Sequence, residues 1–295
     1  MAIFEGAGVA LVTPMHEDGS VNFKKLEELV EEQIAQGTDA IIACGTTGEA
    51  STLTHEEHLE VIGRCVEAAK GRVPVVGGTG SNATDTAVYL STEAQKLGAK
   101  GLLVVSPYYK KATQKGLIAH FSTIAKAVTI PIILYNIPSR TGVAIEPETI
   151  AYLINNVENI VGVKEASGNF SNIAKTMHLC QKSGIDMYSG NDEHIVPMMS
   201  LGGKGVISVL SNVAPAKTHA MCRAMLDGDI KTAARMQLEA MDVINQLFTE
   251  VNPIPVKAAM NMQGKNVGTL RLPLTPMEEG HKSKLEAALK EYGIL

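Results

Sequence analysis

The sequence lacks several features that mark membrane and exported proteins. No stretch of its 295 residues approaches the roughly 18 uninterrupted apolar residues that a membrane span needs. The N-terminal segment has no basic region, and its apolar run breaks at Thr13 and Pro14, so it does not look like a signal peptide. We therefore expect a cytoplasmic protein with no membrane partner.

Clustered cysteines and metal ligands are also missing. The four cysteines are far apart and form no CxxC pair, which argues against a disulfide framework or a zinc knuckle. His55 and His58 lie in the segment HEEH, which lacks the spacing of a zinc-protease helix. We expect both histidines on a solvated helix face, and the sequence predicts no metal site.

The charge pattern excludes another class of partner. The chain has 26 basic and 31 acidic residues, a formal net charge of −5, and no basic tract interleaved with aromatics. Nucleic acid and anionic membranes are therefore poor candidate partners. Apolar residues make up 45% of the chain and charged residues 19%, which is typical of a soluble enzyme with a large core.

Eight short apolar runs recur along the first two thirds of the chain. They show no alternation with polar residues, as expected of strands that are buried on both faces. The runs are GVALVTP (8–14), DAIIACG (39–45), PVVGG (74–78), GLLVVSP (101–107), PIILYNIP (131–138), IVGVKEA (160–166), DMYSG (186–190) and GVISVLS (205–211).

Amphipathic segments separate these runs, and residues 22–36, for example, place their apolar side chains on one face before Gly37. Strict alternation of eight strands with helices predicts an α/β fold, the closed (β/α)8 TIM barrel. A doubly wound open sheet is the alternative. An open sheet of this kind usually has fewer strands and a glycine fingerprint after the first strand. Here the first strand leads into TPMHEDGS, which does not match that fingerprint. The remaining predicted helices of the barrel cover 55–70, 83–97, 114–127, 147–155, 170–182 and 191–201.

The strand pattern stops after residue 214. One of the four helical segments that follow should complete the barrel, and the others should form a C-terminal helical extension. We divide the chain into a catalytic barrel, residues 1–225, and a C-terminal helical domain, residues 226–295. The four segments cover 215–227, 230–250, about 254–263 and 277–291.

Active sites of such barrels lie at the C-terminal ends of the strands. Hydroxyls, one guanidinium and one amine follow the apolar runs and should meet at that rim. They belong to GTTGE (45–49), PYY (107–109), YNIPSRTG (135–142), KEASG (164–168) and SGND (189–192).

Lys164 is the most informative residue of this rim. Burial disfavours a charged ammonium and favours the free amine, which can attack a ketone. The alternative is a lysine that reaches solvent or pairs with Glu165 or Asp192. Two other lysines beside apolar runs, Lys100 and Lys204, precede their strands and should lie at the opposite end of the barrel.

Four further residues have both a functional and a structural interpretation. Tyr135 is either a proton shuttle or a core aromatic with its hydroxyl bonded to backbone. Thr46 and Thr47, between two glycines, either bind a small carboxylate or cap a turn. Arg140 either binds a second carboxylate with its planar fork or is solvated.

Six motifs together resemble the dihydrodipicolinate synthase family, in the same order and essentially from end to end. The wider superfamily of pyruvate-dependent aldolases, which includes N-acetylneuraminate lyase, shares the GxTGE motif, the tyrosine and the lysine. Arg140 fits the synthases better than the sialic acid lyases. The motifs are GTTGE (45–49), SPYY (106–109), LYNIPSRTG (134–142), VGVKEASGN (161–169), GVISV (205–209) and NPIPVK (252–257).

The resemblance implies a mechanism without an external cofactor. Lys164 forms an iminium with pyruvate, and the derived enamine adds to the aldehyde of aspartate semialdehyde. Tyr135, Thr47 and Tyr109 form a proton relay, with Tyr109 supplied by the partner subunit of a dimer. Family members are commonly homotetramers, built as dimers of dimers.

The resemblance also implies the binding residues. Arg140 binds the semialdehyde carboxylate, the amides of Thr46 and Thr47 hold the pyruvate carboxylate, and Gly190 and Ile207 line the pocket. Some members are inhibited by lysine at the dimer interface, but Thr86 and Ala50 stand here where sensitive enzymes have glutamate and serine. We therefore expect weak or absent inhibition. The matching residues of that effector site are His55, His58, Asn82 and Tyr108.

Three alternatives remain open. An aldolase for sugar acids, such as N-acetylneuraminate lyase or a keto-deoxygluconate aldolase, shares the lysine chemistry. A non-catalytic barrel would more readily have lost Lys164 or Tyr135, and both are present. A metal- or phosphate-dependent barrel enzyme would need ligand clusters that the sequence lacks.

Overall fold

The computed structural model describes residues 2–295, and in them eight parallel strands follow one another around a closed barrel. Each strand is hydrogen-bonded to the next along the chain, and β8 pairs with β1. The predicted (β/α)8 barrel is confirmed. The strands are β1 Gly6–Ala10, β2 Ala40–Ala43, β3 Val75–Gly78, β4 Gly101–Val105, β5 Ile132–Asn136, β6 Ile160–Glu165, β7 Asp186–Ser189 and β8 Gly205–Ser208.

Helices alternate with the strands and then continue beyond β8. They are α1 Phe23–Ala35, α2 His55–Ala69, α3 Thr84–Lys96, α4 Gln114–Ala127, α5 Pro138–Thr141, α6 Pro147–Asn156, α7 Phe170–Leu179, α8 Ile195–Ser200, α9 Pro215–Leu226, α10 Ile230–Glu239, α11 Met241–Leu247, α12 Ile254–Met262 and α13 Glu279–Glu291. Within residues 2–295, no helix is both long and apolar enough to cross a membrane.

Local sequence explains where many helices begin. Side chains accept hydrogen bonds from the first-turn amides of several helices, and these amides have no partner within the helix. At α2 the arrangement is reciprocal, because Thr54 accepts from the amide of Glu57 while the Glu57 carboxylate accepts from the amide of Thr54. The other capping side chains include Asn22, Thr113, Asn169 and Asp229.

The structure differs from the predicted elements in several places, and the short helix α5 after β5 was not predicted. β1 covers Gly6–Ala10, so the strand begins and ends earlier than the apolar run at 8–14 predicts. Residues 191–201 begin with a 3-10 turn, Asp192–His194, before α8. The single helix predicted at 230–250 is two helices, which meet at the buried Ala240, and α11 packs against α13.

Two apolar layers stabilise the barrel. The outer layer lies between the strands and the surrounding helices, and the inner layer fills the barrel. Inside, Tyr188 stacks on Phe4 with ring centroids 4.4 Å apart and donates its hydroxyl to the Phe4 carbonyl at 2.8 Å. Such a filled interior leaves the strand ends as the place for chemistry.

The C-terminal helices have two roles. α9 packs against β1 and is the eighth helix of the barrel. α10 to α13 follow it, and α12 packs against α13. The division at residues 225 and 226 stays a prediction, and α9 ends at Leu226.

Candidate active site

Lys164 and Tyr135 face each other at the C-terminal ends of β6 and β5. The two residues are paired in the register of the sheet, and each side chain is 5% exposed. Lys164 Nζ lies 4.4 Å from the centroid of the Tyr135 ring. The strands therefore bring an amine and a phenol together inside the barrel, as predicted.

The two carboxylates considered as partners of Lys164, those of Glu165 and Asp192, accept hydrogen bonds from other groups. Asp192 accepts hydrogen bonds from the amides of Val209 and Leu210, at 3.1 and 2.8 Å. Glu165 accepts a hydrogen bond from the side chain of Asn136. The alternative of a solvated or ion-paired lysine is wrong, since Lys164 is buried without either carboxylate as its partner.

A polar clamp fixes the position of the two strands beside this pair. Asn136 Nδ2 donates to Glu165 at 2.8 Å, and Asn136 Oδ1 accepts from the amide of Ile145 at 2.9 Å. Burial raises the pKa of the Glu165 carboxyl, while its hydrogen bonds act in the opposite direction. Because Asn136 and Glu165 follow Tyr135 and Lys164 directly, the clamp holds the strand ends on which the phenol and the amine stand.

The loop after β2 is held by a buried ion pair. Glu49 has a φ of 54° and accepts a hydrogen bond from Lys257 Nζ at 2.7 Å, with both side chains almost fully buried. Burial lowers the pKa of Lys257, and the Glu49 carboxylate opposes this effect. The Thr13 hydroxyl also donates to the carbonyl of Gly48 at 2.7 Å. The loop that carries Thr46 and Thr47 is therefore anchored at two points, by Lys257 of α12 and by Thr13 in the segment after β1.

Thr47 and Arg140 meet at one residue of the C-terminal extension. Thr47 is 3% exposed, and its Oγ1 accepts a hydrogen bond from Asn252 Nδ2 at 3.0 Å. Arg140, on α5, donates from Nη2 to the carbonyl of Asn252 at 3.3 Å. Among the described residues, no carboxylate forms a salt bridge with Arg140, so its guanidinium can bind an anionic ligand.

A cavity of about 340 Å³ opens at this rim. Its size suits a small molecule, and its wall combines apolar side chains with a few polar groups. The cavity contains residues of both the predicted catalytic site and the predicted effector site. They are Thr46, Tyr135 and Arg140 from the first, and His55, His58, Tyr108, Ala50 and Thr86 from the second.

Two predicted pocket residues lie in or beside the barrel interior rather than in the wall of this cavity. Ile207 is fully buried in the inner layer together with Tyr135 and Ala166. The amide of Gly190 donates to the carbonyl of Glu165 at 2.8 Å. A Cβ atom at Gly190 would lie 2.6 Å from the Cβ of Ala166, so only glycine fits at this position.

Tyr109 is not brought to the cavity within this chain. It is 87% exposed in the loop between β4 and α4, with a φ of 75° that few residues other than glycine adopt. Its neighbour Tyr108, by contrast, lines the cavity. A single chain therefore holds the amine, the first phenol and Thr47, and directs the second phenol outward.

The interpretation of both histidines as solvated is wrong for His58. It is 4% exposed, and its Nε2 lies 2.7 Å from the carbonyl of Gly78, because α2 packs this side chain against the end of β3. Burial lowers the pKa of His58. His55 is exposed beside Tyr89, and Asn82 is exposed outside the cavity wall. No group of three or more potential metal ligands occurs in residues 2–295.

Sequence reasoning missed the roles of Asn252 and Lys257. Both belong to the motif NPIPVK, which contributed to the family resemblance without any role for single residues. Their contacts with Thr47 and Glu49 join positions 205 and 208 residues apart. No local pattern encodes contacts over such a separation.

The chain matches the model of the dihydrodipicolinate synthetase family over residues 3–292. It is 57% identical over 295 residues to the 4-hydroxy-tetrahydrodipicolinate synthase of Lachnoclostridium phytofermentans, a match that covers 100% of both chains. Two solved structures are also similar. The chloride-inhibited dihydrodipicolinate synthase from Acinetobacter baumannii complexed with pyruvate shares 43% identity and a TM-score of 0.95, with 99% of each chain covered. The DHDPS from Cyanidioschyzon merolae with lysine bound shares 38% identity and a TM-score of 0.96, with 100% of each chain covered.

Proposed function

The chain belongs to the dihydrodipicolinate synthetase family, and we propose that it condenses pyruvate with aspartate semialdehyde through a Schiff base on Lys164. As a member of that family it is an aldolase-type lyase of class I. The observation that carries the proposal is the buried Lys164 amine beside the Tyr135 ring, at the end of the barrel where Arg140 lines the cavity.

The first half of the reaction takes place at the lysine. The Lys164 amine attacks the ketone carbon of pyruvate and forms a carbinolamine. Loss of its hydroxyl as water, with a proton delivered through Tyr135 and Thr47, gives the iminium. The pyruvate-bound relative from Acinetobacter baumannii supports pyruvate as the first substrate.

The second half forms the new carbon–carbon bond. Removal of a proton from the pyruvate methyl group converts the iminium into an enamine, with the positive nitrogen as the electron sink. The enamine carbon then attacks the aldehyde carbon of the second substrate. Attack of the semialdehyde amine on the regenerated iminium closes the ring and releases Lys164 as a free amine. The cycle uses no external cofactor.

Charged and polar groups orient the two substrates. The guanidinium of Arg140 receives the semialdehyde carboxylate, since its planar fork matches a carboxylate and no ion pair among the described residues competes for it. The amides of Thr46 and Thr47 hold the pyruvate carboxylate. Gly190 and Ile207 form the inner end of the site in this proposal, where a Cβ atom at Gly190 would collide with Ala166.

Assembly completes the proton relay. Tyr109 projects from its own chain at 87% exposure, which is suited to insertion into the site of a partner subunit. We therefore propose a dimer as the smallest active unit, within a homotetramer built as a dimer of dimers. We also propose that the enzyme acts in the cytoplasm.

A substrate panel tests this function against the sugar-acid alternative. The purified protein is given pyruvate with aspartate semialdehyde, N-acetylmannosamine or glyceraldehyde, and the consumption of pyruvate is measured. We expect turnover with aspartate semialdehyde to exceed the others by at least about 10²-fold, because only this aldehyde offers the carboxylate that Arg140 binds. Preferential turnover of a sugar aldehyde would replace the proposal with the lyase activity.

A further inference from the structure

Asn252 connects the two parts of the site that bind substrate. It directly precedes Pro253 and α12 in the C-terminal extension and is 5% exposed. Its side-chain amide donates to Thr47 Oγ1 at 3.0 Å, and its main-chain carbonyl accepts from Arg140 Nη2 at 3.3 Å. One buried residue from outside the barrel strands thus contacts both the loop after β2 and the helix after β5.

We infer that Asn252 is a positioning residue, which directs the hydroxyl proton of Thr47 into the relay and restricts the orientation of the Arg140 guanidinium. The inference rests on the proposed function, because it concerns the groups that move protons and bind the second carboxylate there.

The direction of the Thr47 proton follows from the hydrogen-bonding capacity of a hydroxyl. A threonine hydroxyl has one proton to donate and two lone pairs to accept. The N–H of Asn252 occupies one lone pair, and within residues 2–295 the Thr47 hydroxyl donates to no other residue. Its proton is therefore directed away from Asn252 and remains available to Tyr135 or to a bound substrate. An acceptor at position 252 would instead bind this proton and interrupt the relay.

Arg140 is the second group that Asn252 orients. The guanidinium has five N–H donors in a rigid plane, so a hydrogen bond to one of them restricts the direction of the others. Among the described residues, its only side-chain hydrogen bond is to the carbonyl of Asn252. The carbonyl belongs to a buried segment, and the remaining donors are left for a ligand in the cavity, which Arg140 lines. Displacement of this segment would move the guanidinium and the hydroxyl together.

The buried amide of Asn252 has one further property. Its Oδ1 is buried, and no residue in the described chain donates a hydrogen bond to it. Buried polar atoms are nearly always paired in folded proteins, so this acceptor can receive a hydrogen bond from a water or ligand bound beside Thr47 and Arg140.

Two variants, Asn252→Ala and Asn252→Asp, test the inference in the intact oligomer. Alanine removes the donor, and aspartate keeps the shape but offers only acceptors when it is ionised. For both we expect kcat to fall by about 10²-fold, with borohydride trapping of pyruvate on Lys164 retained. Exchange of the pyruvate methyl protons in D2O, followed by NMR, should slow by the same factor as kcat. The activity of Asn252→Asp relative to the wild type should rise as the pH is lowered, since a protonated carboxyl can donate to Thr47.

Asn261→Ala is the matched control. Asn261 lies in α12, the helix that follows Asn252, and its side chain bonds the backbone of Val267 and Gly268, away from the cavity. The control should lower the melting temperature without changing the rate of proton exchange. The inference is overturned if Asn252→Ala keeps the wild-type kcat, KM and rate of proton exchange. If the alanine variant does not fold, the same result for Asn252→Asp overturns it. Failure of the wild type to trap pyruvate would overturn the proposed function itself, so the two failures are distinguishable.

Discussion

Lys257 donates its ammonium group to Glu49 at 2.7 Å, and the two side chains are only 2% and 1% exposed. The same ammonium donates to the carbonyl of Thr269, and the second oxygen of Glu49 accepts from the amide of Arg271 at 3.1 Å. The pair joins α12 to the loop that presents Thr46 and Thr47. The C-terminal extension is therefore part of the framework of the active site.

Removal of one member of this pair should strongly destabilise the protein. Lys257→Met leaves the Glu49 carboxylate buried without its countercharge, which typically costs roughly 3–5 kcal/mol of unfolding free energy. Adding Glu49→Gln should recover part of that loss, because the buried charge is then removed as well. Urea denaturation of both variants measures these differences.

The exposed pair between Lys204 and Glu5, at 2.7 Å, provides the control. Lys204→Met should change the stability by less than about 1 kcal/mol, since exposed ion pairs contribute little. A Lys257→Met variant that is no less stable than Lys204→Met would show that the buried pair does not hold the loop.

Asp192 should make the stability depend on pH. Burial raises the pKa of this carboxyl from its ordinary value of 3.8 to about 6. Between those two values the folded state binds more protons than the unfolded state, so the free energy of unfolding falls as the pH rises. Across this pH window Asp192 should lower the free energy of unfolding by about 3 kcal/mol. In Asp192→Asn this part of the pH dependence should be missing.

Comparison of denaturation curves between pH 4 and pH 7 isolates the carboxyl, because every other titrating group is common to the wild type and the variant. Parallel pH profiles for the two proteins would mean that Asp192 titrates in the folded state as it does in the unfolded chain.

The position of Tyr109 predicts complementation between inactive subunits. A site that uses Lys164 of one chain and Tyr109 of its partner is lost in both Tyr109→Phe and Lys164→Ala homodimers. A mixed dimer contains one complete site, so an equal mixture, unfolded and refolded together, should recover about a quarter of the wild-type activity. The steady-state rate of the mixture measures this. A mixture as inactive as its parents would place Tyr109 outside the partner's site.

Free lysine should inhibit this enzyme weakly or not at all. Thr86 and Ala50 line the cavity beside His55, and neither offers a carboxylate to a lysine ammonium. The variant Thr86→Glu should gain sensitivity for the same reason, relative to Thr86→Gln as an uncharged control. Initial rates with increasing lysine measure the effect. Strong inhibition of the wild type by submillimolar lysine would contradict the expectation.

The barrel and the positions of Lys164 and Tyr135 could be predicted because they depend on short-range patterns. Apolar runs mark buried parallel strands. The residue at the C-terminal end of such a strand lies at the catalytic rim, whichever of the eight strands it is. The burial of His58 could not be predicted in this way, because the helical pattern of HEEH does not reveal which neighbouring strand covers it.

The contacts of Asn252 and Lys257 were beyond sequence reasoning for a related reason. Each contact depends on how the C-terminal helices dock onto the barrel, and that docking is determined by packing among many side chains rather than by the motif itself. The outward orientation of Tyr109 also follows from its backbone conformation, with a φ of 75°, which the tyrosine pair alone does not indicate.

The reduction of a pyruvate adduct with borohydride tests the central claim most directly. The protein is incubated with pyruvate, reduced, and studied by intact mass and peptide mapping, with Lys164→Arg as the control. We predict one pyruvate-derived adduct per chain, located on Lys164 and missing from the variant. A folded protein that forms no adduct, or one that forms it on another lysine such as Lys257, would contradict the Schiff-base mechanism.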